Sequence, residues 1–149
     1  MAVIALITWS AAVLAGLYML TVWLIENDVS ARRTAPSQLP VPVLFGHLSL
    51  ALIGLGSWVG YLVLDSDTLA WTSFGALCVI VLLGLTMFAR WIPVYREPVP
   101  AGVPGHALEQ PLTAPAEGSF PVVVVAAHGL LAGGTLVLVF LTAIGVGGS

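Results

Sequence analysis

Residues 120–146 read FPVVVVAAHGLLAGGTLVLVFLTAIGV, a stretch with no Asp, Glu, Lys or Arg. A helix needs about 20 apolar residues to cross the hydrocarbon core of a bilayer, and this stretch exceeds that length. Three further, predominantly apolar stretches of similar length lie upstream, at about residues 2–25, 41–64 and 69–92. Because a segment in lipid must satisfy its own backbone hydrogen bonds, each stretch is predicted to be a helix. The sequence therefore predicts an all-α integral membrane protein, a single transmembrane domain over residues 1–149 built as a four-helix bundle.

The composition supports this fold class and excludes several functions. Of the 149 residues, 59% are hydrophobic and 7% are charged, whereas a soluble domain carries roughly a quarter charged residues. Four arginines and no lysine are too few cations to follow a phosphate backbone, so no nucleic acid partner is expected. A single cysteine, Cys78, excludes a disulfide framework and a thiolate metal site. The sequence has no acidic pair, nucleophile–base pair or phosphate-binding glycine loop, so an independent enzyme is not expected.

The arginines predict how the chain is oriented in the membrane. All four lie in or beside the loops after the first and third predicted helices, whereas the turn after the second helix carries only acidic charge: Arg32, Arg33, Arg90, Arg96, and Asp65, Asp67. The positive-inside rule then predicts a multi-pass protein of the inner (plasma) membrane with cytoplasmic loops 26–40 and 93–119 and both termini outside. The second loop is rich in Pro and Gly, which is typical of an extended segment without a core.

Two spaced motifs occur twice along the chain. Residues 16–23 (GLYMLTVW) and 84–91 (GLTMFARW) both fit G-L-x-M-x-x-x-W, and residues 40–51 and 121–132 both fit P-V-x5-H-x2-L-A. Matches of Leu, Val and Ala are common by chance in an apolar chain, but the rarer Met and His also fall at matched places. The repeats predict two duplicated helical hairpins related by a pseudo-twofold axis along the membrane normal; the alternative is coincidence in a biased composition.

The two intramembrane histidines are the main candidate site. His47 and His128 each follow by seven residues the proline that begins their helix, which places both about 10 Å from the cytoplasmic surface. An ionisable residue inside a span is a functional-site hypothesis by default. Because the second and fourth helices run parallel, the two imidazoles are predicted to hold one low-spin haem b as its axial metal ligands.

Several other residues are assigned to the same cofactor site. Small side chains on the histidine faces would leave a slot for a flat macrocycle: Ala51, Gly54, Ala132 and Thr135. Met19 and Met87 would pack on the edges of the haem, since thioethers fill irregular apolar gaps. Arg90 would pair with a haem propionate, although topology alone also accounts for this arginine. His106, in the loop, is assigned no site.

The alternatives differ in what the histidines do. They could hydrogen-bond between helices and bind nothing, or they could bind a quinone, copper or a chlorin. The architecture looks like that of small b-type cytochrome membrane subunits, an analogy at the level of fold. The expected function is electron transfer between the quinone pool and a partner protein. The alternative is a non-catalytic accessory or assembly subunit of a larger, respiratory-type membrane complex. In either case the expected partners are lipid and a larger membrane complex or further copies of the chain.

Overall fold

The computed structural model describes residues 1–31, 37–96 and 115–146, with side chains described only to residue 26 in the first of these ranges. This part of the chain is all-helical and contains four long α-helices and one short 3₁₀ turn, in the order α1 (Ala2–Ala31), α2 (Val41–Leu64), α3 (Asp67–Arg96), the 3₁₀ turn (Ala116–Ser119) and α4 (Val122–Ala143). Each α-helix is long and apolar enough to cross a membrane. The prediction of four apolar helices of spanning length is therefore confirmed.

The helix ends differ from the predicted ones in ways that the local sequence explains. α1 continues to Ala31 because no proline or glycine follows Ile25 before Pro36, and polar residues outside lipid do not stop a helix. α3 runs through Pro93 to Arg96, so the first part of the predicted extended loop 93–119 is helical. The last part of that loop forms the 3₁₀ turn.

Prolines begin the two helices that carry the intramembrane histidines. Pro40 and Pro121 are the N-cap residues, with φ of −68° and −65°, values that the pyrrolidine ring imposes. The carbonyl of each proline accepts hydrogen bonds from the N–H groups three and four residues further on. Both helices therefore start at a fixed point relative to their histidine, seven residues from the proline.

The four helices form a ring in which two of the contacts are more extensive than the other two. α1 packs most extensively against α4, and α2 against α3, while α3–α4 and α1–α2 make smaller contacts. Within the described residues no Cα atom of α2 lies within 8 Å of one in α4, so these two helices lie diagonally opposite each other. Side chains that face the interior from α2 and α4 are therefore presented to each other across the bundle axis.

Two apolar clusters fill the interior. The larger one, here called the inner cluster, contains Ala5, Trp9, Ala51, Trp58, Ala70, Leu77, Ile80 and Val139. The smaller one, the end cluster, joins Trp23, Leu39 and Ala116. Many large apolar side chains instead face outward, with Val123 and Leu130 about 80% exposed (80% and 79%). An outer surface of this kind is stable in lipid and not in water.

Candidate functional site

His47 and His128 face each other across the bundle axis. Their ring centroids are 6.1 Å apart and their planes are inclined by 53°. Both side chains are half-buried, and they come from the diagonally placed α2 and α4. The structure thus brings together the two histidines that the repeated motif singles out.

Each imidazole is anchored to a helix other than its own. Nδ1 of His47 lies 3.0 Å from the carbonyl oxygen of Ile80 in α3, and Nδ1 of His128 lies 2.9 Å from the carbonyl oxygen of Ala12 in α1. A carbonyl oxygen can only accept, so Nδ1 carries the proton in both hydrogen bonds. In the neutral imidazole the lone pair is then on Nε2, the nitrogen at the far end of each ring.

A glycine one turn beyond each carbonyl gives the imidazole room. A Cβ on Gly84 would lie 3.3 Å from Cε1 of His47, and a Cβ on Gly16 would lie 3.2 Å from Cε1 of His128. Because residues four apart share a helix face, α3 and α1 each present one carbonyl and one glycine to one ring. The two anchoring surfaces are therefore built alike.

Within the part of the chain that the structure describes, no hydrogen bond is made by Nε2 of His47 or His128. In the same part, no fully buried side-chain nitrogen or oxygen lacks a hydrogen-bond partner. Neither Nε2 atom is therefore completely buried, and each keeps a lone pair that is free of protein hydrogen bonds within these residues.

The small residues assigned to a slot lie in different surroundings. Ala51 belongs to the inner cluster, and Gly54 is buried against the Trp9 indole, whose Cζ2 would lie 2.9 Å from a Cβ at this position. Thr135 is buried and hydrogen-bonds with Thr8 Oγ1 (2.9 Å) and with its own helix, and Ala132 is half-buried. At Gly54 the missing side chain thus makes room for an indole.

The methionines and the arginine lie toward the end of the bundle where α2 and α4 begin. Met87 packs against the end cluster, and Met19 is half-buried in α1. The exposed Arg90 donates a hydrogen bond to the carbonyl oxygen of Gln38, at 3.3 Å. Arg90 therefore contacts the segment that leads into α2.

A buried carboxylate occupies the same end and is absent from the sequence-based site. The Glu117 side chain is fully buried; Oε1 accepts from the Gln38 N–H, and Oε2 accepts from Ser37 Oγ at 2.8 Å. Trp23 Nε1 donates to Ser37 Oγ (3.0 Å), and Trp91 Nε1 donates to the carbonyl oxygen of Glu117 (3.1 Å). These five residues are called the polar clamp below.

The sequence carried little signal for the polar clamp. A glutamate between Pro115 and Pro121 is typical of a solvated loop, since carboxylates are almost never fully buried without partners. Two of the hydrogen-bonding groups are backbone atoms, the Gln38 N–H that donates to the Glu117 carboxylate and the Glu117 carbonyl oxygen that accepts from Trp91. Backbone groups are present at almost every position, so the sequence does not single them out. The repeated tryptophans, Trp23 and Trp91, were the one available sign.

Comparison with models of known protein families finds no match for this chain, and neither the characterised proteins nor the solved structures contain one.

Proposed function

We propose that the chain is a membrane haem b protein in which Nε2 of His47 and Nε2 of His128 are the two axial ligands. The observation that supports this most is the pair of anchored imidazoles whose centroids lie 6.1 Å apart. Two metal–nitrogen bonds of about 2 Å each, with the ring radii added, put the centres of two axial imidazoles roughly 6 Å apart. The donor set and its spacing therefore fit a bis-histidine haem.

The chain's own groups would prepare these ligands before the cofactor binds. The Nδ1–H bonds to Ile80 and Ala12 fix the tautomer and the ring orientation and increase the basicity of Nε2. A haem b bound there would supply a one-electron couple, and the apolar surroundings would tune its potential. Met19, Met87 and Ala132 would contribute apolar walls, and Arg90 would lie on the side of the propionates.

The same geometry disfavours copper and a quinone. Zn²⁺ and copper sites in proteins use three or four side-chain ligands, and among the described residues no three His, Cys, Asp and Glu side chains gather. A quinone carbonyl needs a hydrogen-bond donor, but the donor nitrogens of both imidazoles are already bonded to Ile80 and Ala12. A haem iron would already have four nitrogens from its own macrocycle and would need two further lone-pair donors, which the two Nε2 atoms could be.

We also infer that the hairpins α1–α2 and α3–α4 are duplicated copies related by a pseudo-twofold axis along the membrane normal. Positions 12, 16 and 23 of α1 correspond to positions 80, 84 and 91 of α3 with one constant offset. These are the positions that supply the carbonyl, the glycine and the indole N–H in the two halves. The two halves thus agree in the contacts that these positions make as well as in residue type, which supports duplication over coincidence.

In the proposed setting the protein spans the plasma membrane, with both termini outside and loops 26–40 and 93–119 in the cytoplasm. It passes electrons between the quinone pool and a partner protein, as a subunit of a larger membrane complex or a homo-oligomer. The outward apolar side chains described above are available to lipid and to such partners.

The deciding experiment compares Asn and Ala substitutions at both histidines. Asn keeps a nitrogen donor near the position of Nδ1 but has no counterpart of Nε2, so His47→Asn and His128→Asn retain the interhelical hydrogen bond and lose the ligand. We expect b-type bands in the reduced-minus-oxidised spectrum of the purified protein, confirmed as a pyridine haemochrome. Loss or conversion of these bands is expected in all four variants, with His106→Ala unaffected. Unchanged low-spin spectra in both Asn variants would reject the assignment.

An accessory subunit without a cofactor is the second candidate, and a specific observation favours it. Both histidines already bridge helix pairs through Nδ1, which is the bonding expected of histidines that only hold helices together. In that case the purified wild-type protein shows no b-type bands. The Ala variants then lose thermal stability while the Asn variants retain most of it.

A further inference from the structure

The polar clamp joins all four helices toward one side of the bundle. Trp23 lies eight residues before the end of α1, Trp91 lies five residues before the end of α3, and Ser37 and Glu117 precede α2 and α4. Trp23 and Trp91 follow by seven residues the glycines that contact the imidazoles, so the clamp lies two turns, about 10 Å, from the histidine pair.

The clamp is short and stiff on both sides. Glu117 is separated from Pro121 by three residues, and Gln38 from Pro40 by one. Each proline has a fixed φ and begins a histidine-bearing helix. A hydrogen bond between the two segments therefore fixes the distance between the starts of α2 and α4, whose backbones do not approach each other closely within the described residues.

The hydrogen-bonding pattern requires both carboxylate oxygens of Glu117 to be acceptors. Ser37 Oγ accepts from Trp23 Nε1 and from the Leu39 N–H, so its single hydrogen is left for Glu117 Oε2. The Gln38 N–H can only donate, to Oε1. The NH₂ group of a Gln side chain at position 117 would face a hydrogen-bond donor in either orientation, the Gln38 N–H in one and the Ser37 hydroxyl in the other.

We propose that Glu117 is a positioning residue for the His47–His128 pair. Its buried carboxylate holds the N-terminal ends of α2 and α4 at the separation that keeps the two Nε2 atoms within reach of one metal. This inference rests on the proposed function for its cofactor, but the clamp itself is a property of the chain alone. The two can therefore be tested separately.

The test uses Glu117→Gln in the full-length protein, with spin labels at Val41→Cys and Val122→Cys in a Cys78→Ser background. These valines begin α2 and α4 and are 50% and 42% exposed, so they accept labels. We expect a narrow distance distribution in the wild type without haem and a clearly broader or shifted one in Glu117→Gln. Asp67→Asn, an exposed carboxylate-to-amide change at the other end of the bundle, is the matched control and is expected to leave the distribution unchanged.

A second readout measures the cofactor directly. After loading with haem, Glu117→Gln should bind it at least tenfold more weakly, the range found for residues that orient metal ligands. It should also bind CO in a fraction of the sample, since a loosened axial histidine opens a position on the iron. Ser37→Ala, which keeps the Gln38 contact, is expected to show both effects to a smaller extent.

The outcomes separate the two proposals. If the wild type takes up no haem, the proposed function fails, and the label distances still decide whether Glu117 positions the helices. If the label distances in Glu117→Gln and Ser37→Ala are distributed as narrowly as in the wild type, the positioning role is overturned. It is also overturned if Glu117→Gln binds haem as tightly as the wild type and does not bind CO.

Discussion

At the residue scale, the sharpest test of the site is to add one methyl group at a glycine beside an imidazole, Gly16 or Gly84. In Gly84→Ala the new Cβ would lie 3.3 Å from Cε1 of His47, tighter than ordinary contact. The ring cannot retreat freely because Nδ1 is bonded to Ile80. We expect a loss of about 1–2 kcal/mol in the free energy of unfolding, as for an overpacked interior, and a displaced axial ligand in the spectrum of the haem-loaded protein.

Two other glycines provide the control for this prediction. A Cβ on Gly46 or Gly129 meets nothing within 4 Å, so Gly46→Ala and Gly129→Ala should be neutral or stabilising by up to about 1 kcal/mol through helix propensity. The stability of all three glycine variants is measured by thermal unfolding in detergent. Equal behaviour of Gly84→Ala and Gly46→Ala would contradict the tight contact.

At the scale of elements, α2 ends in a conformation that few side chains tolerate. Asp65 has φ 51° and ψ 45°, and its N–H bonds to the carbonyl oxygen of Tyr61. A β-branched residue is strained in this left-handed region, whereas glycine is not. We expect Asp65→Val to lower the free energy of unfolding by about 1–2 kcal/mol and Asp65→Gly to leave it equal or higher. Calorimetry of the two variants checks the order; a Val variant as stable as the Gly variant would disprove it.

The indole of Trp91 in α3 donates a hydrogen bond to the 3₁₀ turn. Trp91→Phe removes the donor to the Glu117 carbonyl but keeps most of the apolar volume, and that carbonyl still accepts from the Phe120 N–H. The expected loss is therefore about 1 kcal/mol, the net value of one hydrogen bond. Trp71→Phe is the matched control, because Trp71 is 47% exposed, and it should change stability by less than about 0.5 kcal/mol. Equal effects at the two positions would show that the indole N–H contributes nothing.

How far each element could be predicted follows from what constrains it. α2 was predicted with its observed ends, Val41–Leu64, because a proline begins it and charged residues follow it. α1 and α3 extend further than predicted, since a charge marks where lipid ends and not where a helix ends. The 3₁₀ turn was missed because its burial depends on Glu117 finding partners in a distant segment.

At the scale of the whole molecule, the orientation prediction can be checked by labelling. Ser66→Cys lies in the α2–α3 turn, and Ala107→Cys lies in the predicted cytoplasmic loop, outside the described residues. In a Cys78→Ser background, an impermeant thiol reagent added to intact cells should label position 66 and spare position 107. Labelling of position 107 from outside would reverse the assignment.

The arrangement of the helices was less predictable than their existence. Any charge-free run of about 20 residues must become a helix in lipid, but a helix that is apolar all round does not reveal which face meets which neighbour. The histidine pair was predictable because His47 and His128 recur at one spacing from a proline. Their anchors were not, since the acceptors at Ile80 and Ala12 are backbone carbonyls that any residue type would supply.

The anchoring of each imidazole by the other hairpin also has a consequence for biogenesis. His47 bonds to α3 and His128 bonds back to α1, so each hairpin depends on the other for an acceptor and a glycine. When only α1 and α2 of a nascent chain have been inserted, the His47 imidazole has no acceptor, because Ile80 lies in α3. α1 gains its most extensive packing partner only when α4, the last helix, has been synthesised. We expect separately expressed chains 1–66 and 67–149 to be degraded when alone and to rescue each other when coexpressed. Persistence of either fragment alone, at the level of the pair, would show that a hairpin can mature without its counterpart.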